Sequence, residues 1–350
     1  MIRSDLPWWL LDNAGPVIRF RTMVEILGET DIGLVSKALE DLFNSPIVTK
    51  WLELLKPRMG FHNFHSSMPV AFGNVMGKLV QLGLHAGLQA FDTKTLPFRA
   101  WLSDRVEESI TDDDGPGTGF SMPLVASYLA YAGYDDTKPV KTVMLERLER
   151  SLEFAETVDF DEFYVKGNKK EWLVSPRFYV DVEQGLPYVH DIRGIASSKW
   201  IFEKDEYNRM AERVIATILS PEYQGLKPGY GYLKYEKRTY TIGSSVHVPG
   251  FSSFPTENEM SRLLLCLEMM APFMTARESN WFQKSLDVLE EQVTDDGHYR
   301  FPRKWLPERQ SGYWVGANYM ALEDERRKQS AIDYESTFRV LKIKQLAGLL

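Results

Sequence analysis

The chain has one cysteine in 350 residues, Cys266, and it sits inside the apolar run RLLLCLEMM. A lone cysteine excludes an intramolecular disulfide and any metal site made of several thiolates, and it points to a reducing compartment. Blocks of positive charge are also scarce: 41 Lys and Arg face 49 Asp and Glu, for a net charge of −8. Short basic stretches such as Lys234 to Arg238 do not make a nucleic-acid or anionic-membrane surface, so neither is an expected partner. No apolar run is long enough to span a bilayer. The opening MIRSDLPWWLLDNAG is broken at Pro7, ended by Asp12 and carries no signal-peptide cleavage pattern, so a cytoplasmic protein is expected. G-x-S-x-G, a Walker loop and a strand-borne G-x-G-x-x-G are all missing, which removes the commonest serine-hydrolase and nucleotide-binding signals.

What is abundant is aromatic surface, with 9 Trp and 16 Tyr in a 13% aromatic share. That is more than a core alone usually takes, and it suggests an aromatic-lined cavity. Helical periodicity runs from end to end. Apolar stripes cover about 17–27, 69–84, 122–132, 187–202, 260–273 and 334–350, and helices with one charged face lie between them at about 31–43, 98–109, 140–157, 204–219 and 276–293. An apolar helix needs cover on most sides, whereas an amphipathic one covers a single side. Two concentric rings of helices meet both demands, so the expected fold is all-α, in one domain over 1–350.

Two stretches break the rhythm. Residues 221–255 are rich in Gly, Pro, Ser and Tyr and include YGYLKYEKRTYTIG, which reads as a short β-hairpin. The second, NKKEWLVSPRFYVDVEQGLP, precedes the stripe that starts near Pro187. There is also a repeated phrase: EESITDDDGPGTGF from Glu107 and EEQVTDDGHYRF from Glu290. Asp and Gly are turn residues, so both copies read first as helix stops, although only the first adds a third aspartate and a Gly-Pro-Gly loop.

LPWWLLDNAGPVIRFRTMVEILG, KSLDVLEEQVTDDGHYRFPRKW and YESTFRVLKIKQLAGLL together resemble the α/α-toroid superfamily of terpenoid cyclases and protein prenyltransferase β-subunits, especially bacterial toroid proteins. Gln292, Gly297 and Tyr299 stand in the roles of the triterpene-cyclase repeat consensus. The resemblance implies an α/α toroid of about five to six helical hairpins, with a central cavity for a small or medium hydrophobic, isoprenoid-like substrate. The segment nearest the cyclase Asp-x-Asp-Asp motif is Asp159-Phe160-Asp161-Glu162, and the prenyltransferase zinc site finds no suitable cysteine. No metal or other cofactor is expected.

Parallel inner helices would gather their N-terminal ends at one mouth of such a ring, where free N–H groups favour anions and carboxylates. Candidates for catalysis there are Asp112, Asp113, Asp114, His62, His65 and Glu257; candidates for substrate contact are Arg19, Arg21, His190, Asp191, Tyr232, His247, Trp314, Tyr334 and Glu335. Three crowded carboxylates resist full ionisation, so one of Asp112 to Asp114 could serve as a general acid. His62 and His65 share a face if helical, yet a capping or core role competes. Glu259 fits a capping box with Thr256, leaving Glu257 the freer acid. Tyr313, Trp314 and Tyr319 could line the cavity or pack between the rings.

Three functions follow as expectations, with a small-molecule partner in the first two. The first is a cyclase-type enzyme with an Asp acid and aromatic faces that stabilise positive charge. The second is an (α/α)6 carbohydrate-active hydrolase or lyase. The third is a non-catalytic scaffold that binds a small molecule or a protein.

Overall fold

The computed structural model describes residues 5–108, 120–169, 171–179 and 185–350. The chain is mostly helical, with one small sheet. Helices α1 (Leu6–Asn13), α2 (Pro16–Arg21), α3 (Ile32–Asn44), α4 (Pro46–Leu54) and α5 (Phe61–Phe64) open it. Helices α6 (Phe72–Gln81), α7 (Gln89–Glu107), α8 (Ser121–Leu129), α9 (Lys138–Thr157) and α10 (Pro176–Tyr179) follow. After them come α11 (Val189–Ser197), α12 (Lys199–Phe202), α13 (Asp205–Ile218) and α14 (Pro221–Gln224). Last are α15 (Met260–Met270), α16 (Met274–Glu278), α17 (Asn280–Glu290) and α18 (Gln329–Leu346).

Local chemistry sets many of these boundaries. Asp31 caps α3 by accepting from the Leu34 N–H at 2.9 Å, and Ser279 caps α17 by accepting from the Phe282 N–H at 3.2 Å. Proline occupies the first turn of α4 and α9, where its missing N–H costs nothing. Two helices end in a π turn, α2 through Thr22–Ile26 and α8 through Ala130–Tyr134; the second closes at Gly133, whose φ of 89° disfavours a side chain.

The apolar stripes and the amphipathic helices separate as their sequence patterns demand. Helix α6 packs on α8, α8 on α11, α11 on α15, α15 on α18, and α18 on α1 and α2. The more polar helices lie against these: α3 on α2, α7 and α9 on α8, α13 on α9, and α17 on α15. Every residue from Ser121 to Leu129 except Met122 and Pro123 is buried, whereas α13 buries only Ala211, Val214, Ile215 and Ile218. One apolar cluster runs from Leu6 to Ala347.

The hairpin expected in 221–255 is present as β3 (Gly231–Tyr235) and β4 (Arg238–Ile242), which pair antiparallel. The sequence pattern did not reveal its partners. Strands β1 (Tyr164–Lys166) and β2 (Trp172–Val174) extend the sheet in the order β1-β2-β3-β4, and β2 joins β3 in parallel through Leu173 and Tyr232. The two irregular inserts are therefore one substructure.

The second copy of the repeated phrase is a tight turn after α17. The Thr294 N–H donates to the His298 carbonyl at 2.8 Å, and Gly297 takes a φ of 82°. Tyr299 then packs inward and accepts from Lys344 of α18 at 2.9 Å. The first copy, with Asp112, Asp113 and Asp114, lies outside the described residues. No described helix is long and apolar enough to cross a membrane.

Candidate functional site

A cavity of about 1140 Å³ opens where the starts of α11 and α15, the strand β4 with its following loop, the short helix α5 and the turn at Tyr313 meet. Each element contributes for a local reason. Arg262, Cys266 and Met269 sit four and three residues apart on one face of α15, so all three reach the cavity. The loop after β4 turns at Ser244, a non-glycine residue at φ 66°, and its carbonyl accepts from the Val189 N–H of α11 at 2.8 Å. Ser245 then accepts from the Gly229 N–H at 2.9 Å, which fixes the loop against the sheet.

One wall is a chain of rings. His65 stacks on Tyr313 with centroids 4.7 Å apart and meets Phe120 edge-on at 5.3 Å. Phe120 also contacts Phe61 at 5.8 Å and Tyr188 at 5.5 Å. Behind this wall lies His190, edge to face with His65 at 5.4 Å. Both ring nitrogens of His190 are buried without a hydrogen-bond partner. Burial pushes the His65 imidazole down to about 4, and burial with the nearby His65 and Arg193 holds His190 well below the usual imidazole range. Both rings are neutral at pH 7. The lining includes three histidines, four tyrosines and one arginine, and no Asp or Glu occurs among its described residues.

The candidate residues divide between this cavity and purely structural positions. His62, His65 and His247 line the cavity, and His190 backs it. His247 is tied to the fold by its Nε2 at 2.8 Å from the Leu226 carbonyl and its Nδ1 at 2.9 Å from Ser245 Oγ. Asp191 is turned away from the cavity into a two-pronged pair with Arg147, at 2.9 and 2.8 Å, and caps its own helix at the Tyr188 N–H, at 2.8 Å. Glu335 is fully buried and accepts from the Leu322 and Glu323 N–H groups at 2.7 and 3.0 Å and from Arg326 at 2.8 Å.

Other candidates are likewise occupied. Arg19 donates to the carbonyls of Leu11 and Ala14 at 3.1 and 3.0 Å. Arg21 pairs with Glu25 at 2.6 Å and reaches the Gln81 carbonyl at 2.7 Å. Glu257 is exposed, is not a lining residue, and pairs with Lys304. Trp314 is buried against Gly77, Tyr334 packs on Trp9, and Tyr232 lies near Lys227. Glu259 reaches back to the Thr256 N–H at 2.9 Å, as a capping box requires, but α15 begins at Met260, so this bond closes the turn before the helix.

The sequence reading did not single out Arg262, Phe120 or the Ser244–Ser245 turn. Arg262 had a visible signal, since it is the one cation in the largely apolar MSRLLLCLEMM. Among the described residues no group of three His, Cys, Asp or Glu could hold a metal ion. Compared with known protein families, with curated proteins and with solved structures, the chain matches none.

Proposed function

We propose that this chain is an α/α-toroid protein of the terpenoid-cyclase-like kind whose cavity binds, and acts on, a small or medium apolar organic molecule. Alternation of buried and amphipathic helices supports the ring, as does the packing of α6, α8, α11, α15, α18 and α2 in turn. The Arg21 guanidinium on the Gln81 carbonyl at 2.7 Å ties α2 back to α6. The observation that carries the function is the cavity of about 1140 Å³ with its ring-built wall. A volume of that size accommodates a ligand of drug-like dimensions with room to spare.

In this proposal the faces of Phe61, Phe120 and Tyr313 contact the substrate body and favour positive charge that develops on it. His65 is the hydrogen-bonding group beside the substrate body: among the described residues its side chain makes ring contacts only, and burial keeps the imidazole neutral at pH 7, so it offers a polar contact without charge. The acid of the scheme is Asp113 with its neighbours Asp112 and Asp114. Glycan hydrolysis is less well supported, since the described lining offers phenols and imidazoles in place of opposed carboxylates.

Mass spectrometry of molecules extracted from the purified protein tests the cavity, and Val315→Trp, which projects an indole into it and takes up part of its volume, is the comparison. The expected result is an apolar ligand in the wild type that is depleted in V315W. Ligand content unchanged in V315W overturns the assignment of the cavity. Turnover retained in both H65A and D113N leaves a binding protein without this chemistry.

A further inference from the structure

We propose that the cavity takes an organic monocarboxylate, with the carboxylate docked on Arg262 and the apolar body against the ring-built wall. The inference rests on the cavity being the ligand site and goes further by naming the head group. Arg262 is the charged side chain among the described lining residues. Its Nε is buried with no hydrogen-bond partner, and its Nη2 has only a long contact, 3.4 Å, to the His247 carbonyl. Glu259, the acid one turn earlier, has its carboxylate engaged by the N–H and hydroxyl of Thr256 at 2.9 and 2.7 Å. Glu259 feels the charge of Arg262 but is bonded to Thr256, so this partly buried guanidinium has no hydrogen-bonded counter-ion among the described residues and pays a desolvation penalty that a bound anion would offset.

The geometry of that guanidinium selects among anions. An Nε and Nη2 edge left open is the two-donor fork that matches the two oxygens of a carboxylate. Arg262 also lies in the first turn of α15, an 11-residue helix, where the helix dipole favours negative charge. The number of cations then limits the charge of the head. A diphosphate carries several negative charges and is normally held by several cations or a metal, whereas one arginine lines the described cavity and no metal-holding cluster occurs among the described residues. His247 adds no positive charge, because burial and the nearby Arg262 favour the neutral ring and outweigh the bond to the Leu226 carbonyl. One positive group matches one negative group.

Calorimetric titration of the whole chain at pH 7.5 with dodecanoate, dodecanol and dodecyl phosphate tests this, since the three share one flexible body and differ in the head. Dodecanoate is expected to bind at least tenfold more tightly than dodecanol. R262Q is expected to erase that difference while leaving dodecanol affinity within twofold, and R262K to keep part of it. The wild-type comparison stands even if R262Q fails to fold. Equal affinity for dodecanoate and dodecanol overturns the head-group assignment and leaves the cavity assignment standing. Tenfold tighter binding of dodecyl phosphate than of dodecanoate overturns the monoanion. Failure of both dodecanoate and dodecanol to bind overturns this proposal together with the cavity assignment.

Discussion

His65 and His190 meet edge to face, 5.4 Å between ring centroids, with neither ring hydrogen-bonded to a described residue. Two unprotonated imidazoles in contact behave as aromatic packing units, and adding a proton to either means placing a charge in an apolar wall. A histidine whose folded value falls below the unfolded one stabilises the fold above the unfolded value and loses that contribution as pH falls. For His65 the window lies between about 6.5 and about 4.

Thermal melts of the wild type are therefore expected to fall from pH 6.5 to pH 4 more steeply than those of H65F, with the buried Glu323 carboxyl working in the opposite sense between about 7 and 4.5. The loss attributable to His65 is on the order of 2–3 kcal/mol. H190F should flatten the profile and keep or raise stability at pH 7.5, because phenylalanine fills the site without unpaired nitrogens. A steep profile that survives in both H65F and H190F would place the acid sensitivity elsewhere.

Gly77 touches Trp314 so closely that a methyl group there would stand 2.2 Å from the indole Cδ2. The tryptophan is fully buried and held by the Asn74 side chain, which accepts from its backbone N–H at 2.7 Å. G77A is expected to cost about 2–3 kcal/mol in urea denaturation, the penalty of overpacking a rigid ring. A neutral outcome would show that the 314–316 turn gives way.

Asp191 and Arg147 are a buried pair, so removing one partner leaves the other charge stranded. D191N should lower stability by about 3–5 kcal/mol. The double variant D191N/R147M should recover a good part of that loss. If D191N instead folds with wild-type stability and loses ligand, the residue belongs to binding and not to the frame.

Glu323 accepts from the Gly15 N–H at 2.8 Å, yet burial, together with Glu335 and Asp324 nearby, pushes its carboxyl up to about 7. An acid whose value rises on folding favours the fold in its protonated form. That contribution is present below the unfolded value of 4.5 and is lost as pH rises through about 7. E323Q keeps an acceptor for Gly15 and should add on the order of 2 kcal/mol at pH 8 and little at pH 4.5, read from melts at both pH values.

Much of the helical layout was legible because each signal is local. Stripes such as VAFGNVMGKLVQLGL and faces such as NRMAERVIATIL mark α6 and α13 through periodicity alone. The β3–β4 hairpin was readable from alternation across a two-residue turn. Its union with β1 and β2 was not, since a parallel contact between segments some sixty residues apart leaves no periodic trace. The site was legible only in part. His62, His65 and His190 were found because they stand at or before the starts of apolar stripes, where polar side chains were expected to gather, and His247 lies in the irregular insert that precedes another stripe. Asp191 and Glu335 were given ligand roles because sequence cannot show that Arg147 and Arg326 neutralise them. Arg262 was passed over because a lone cation in a largely apolar helix becomes notable only when its Nε is seen buried without a hydrogen-bond partner.

The packing of α18 against α1 and α2, and the bond from Glu323 to Gly15, join parts of the chain separated by 308 positions. On the ribosome the apolar faces of α1 and α2 emerge well before α18 and wait for it. At an elongation rate of about 5–20 residues per second, that wait lasts on the order of tens of seconds. Closure of so long a loop also slows folding itself. The apolar faces of α1 and α2 thus stay uncovered in the nascent chain until α18 arrives.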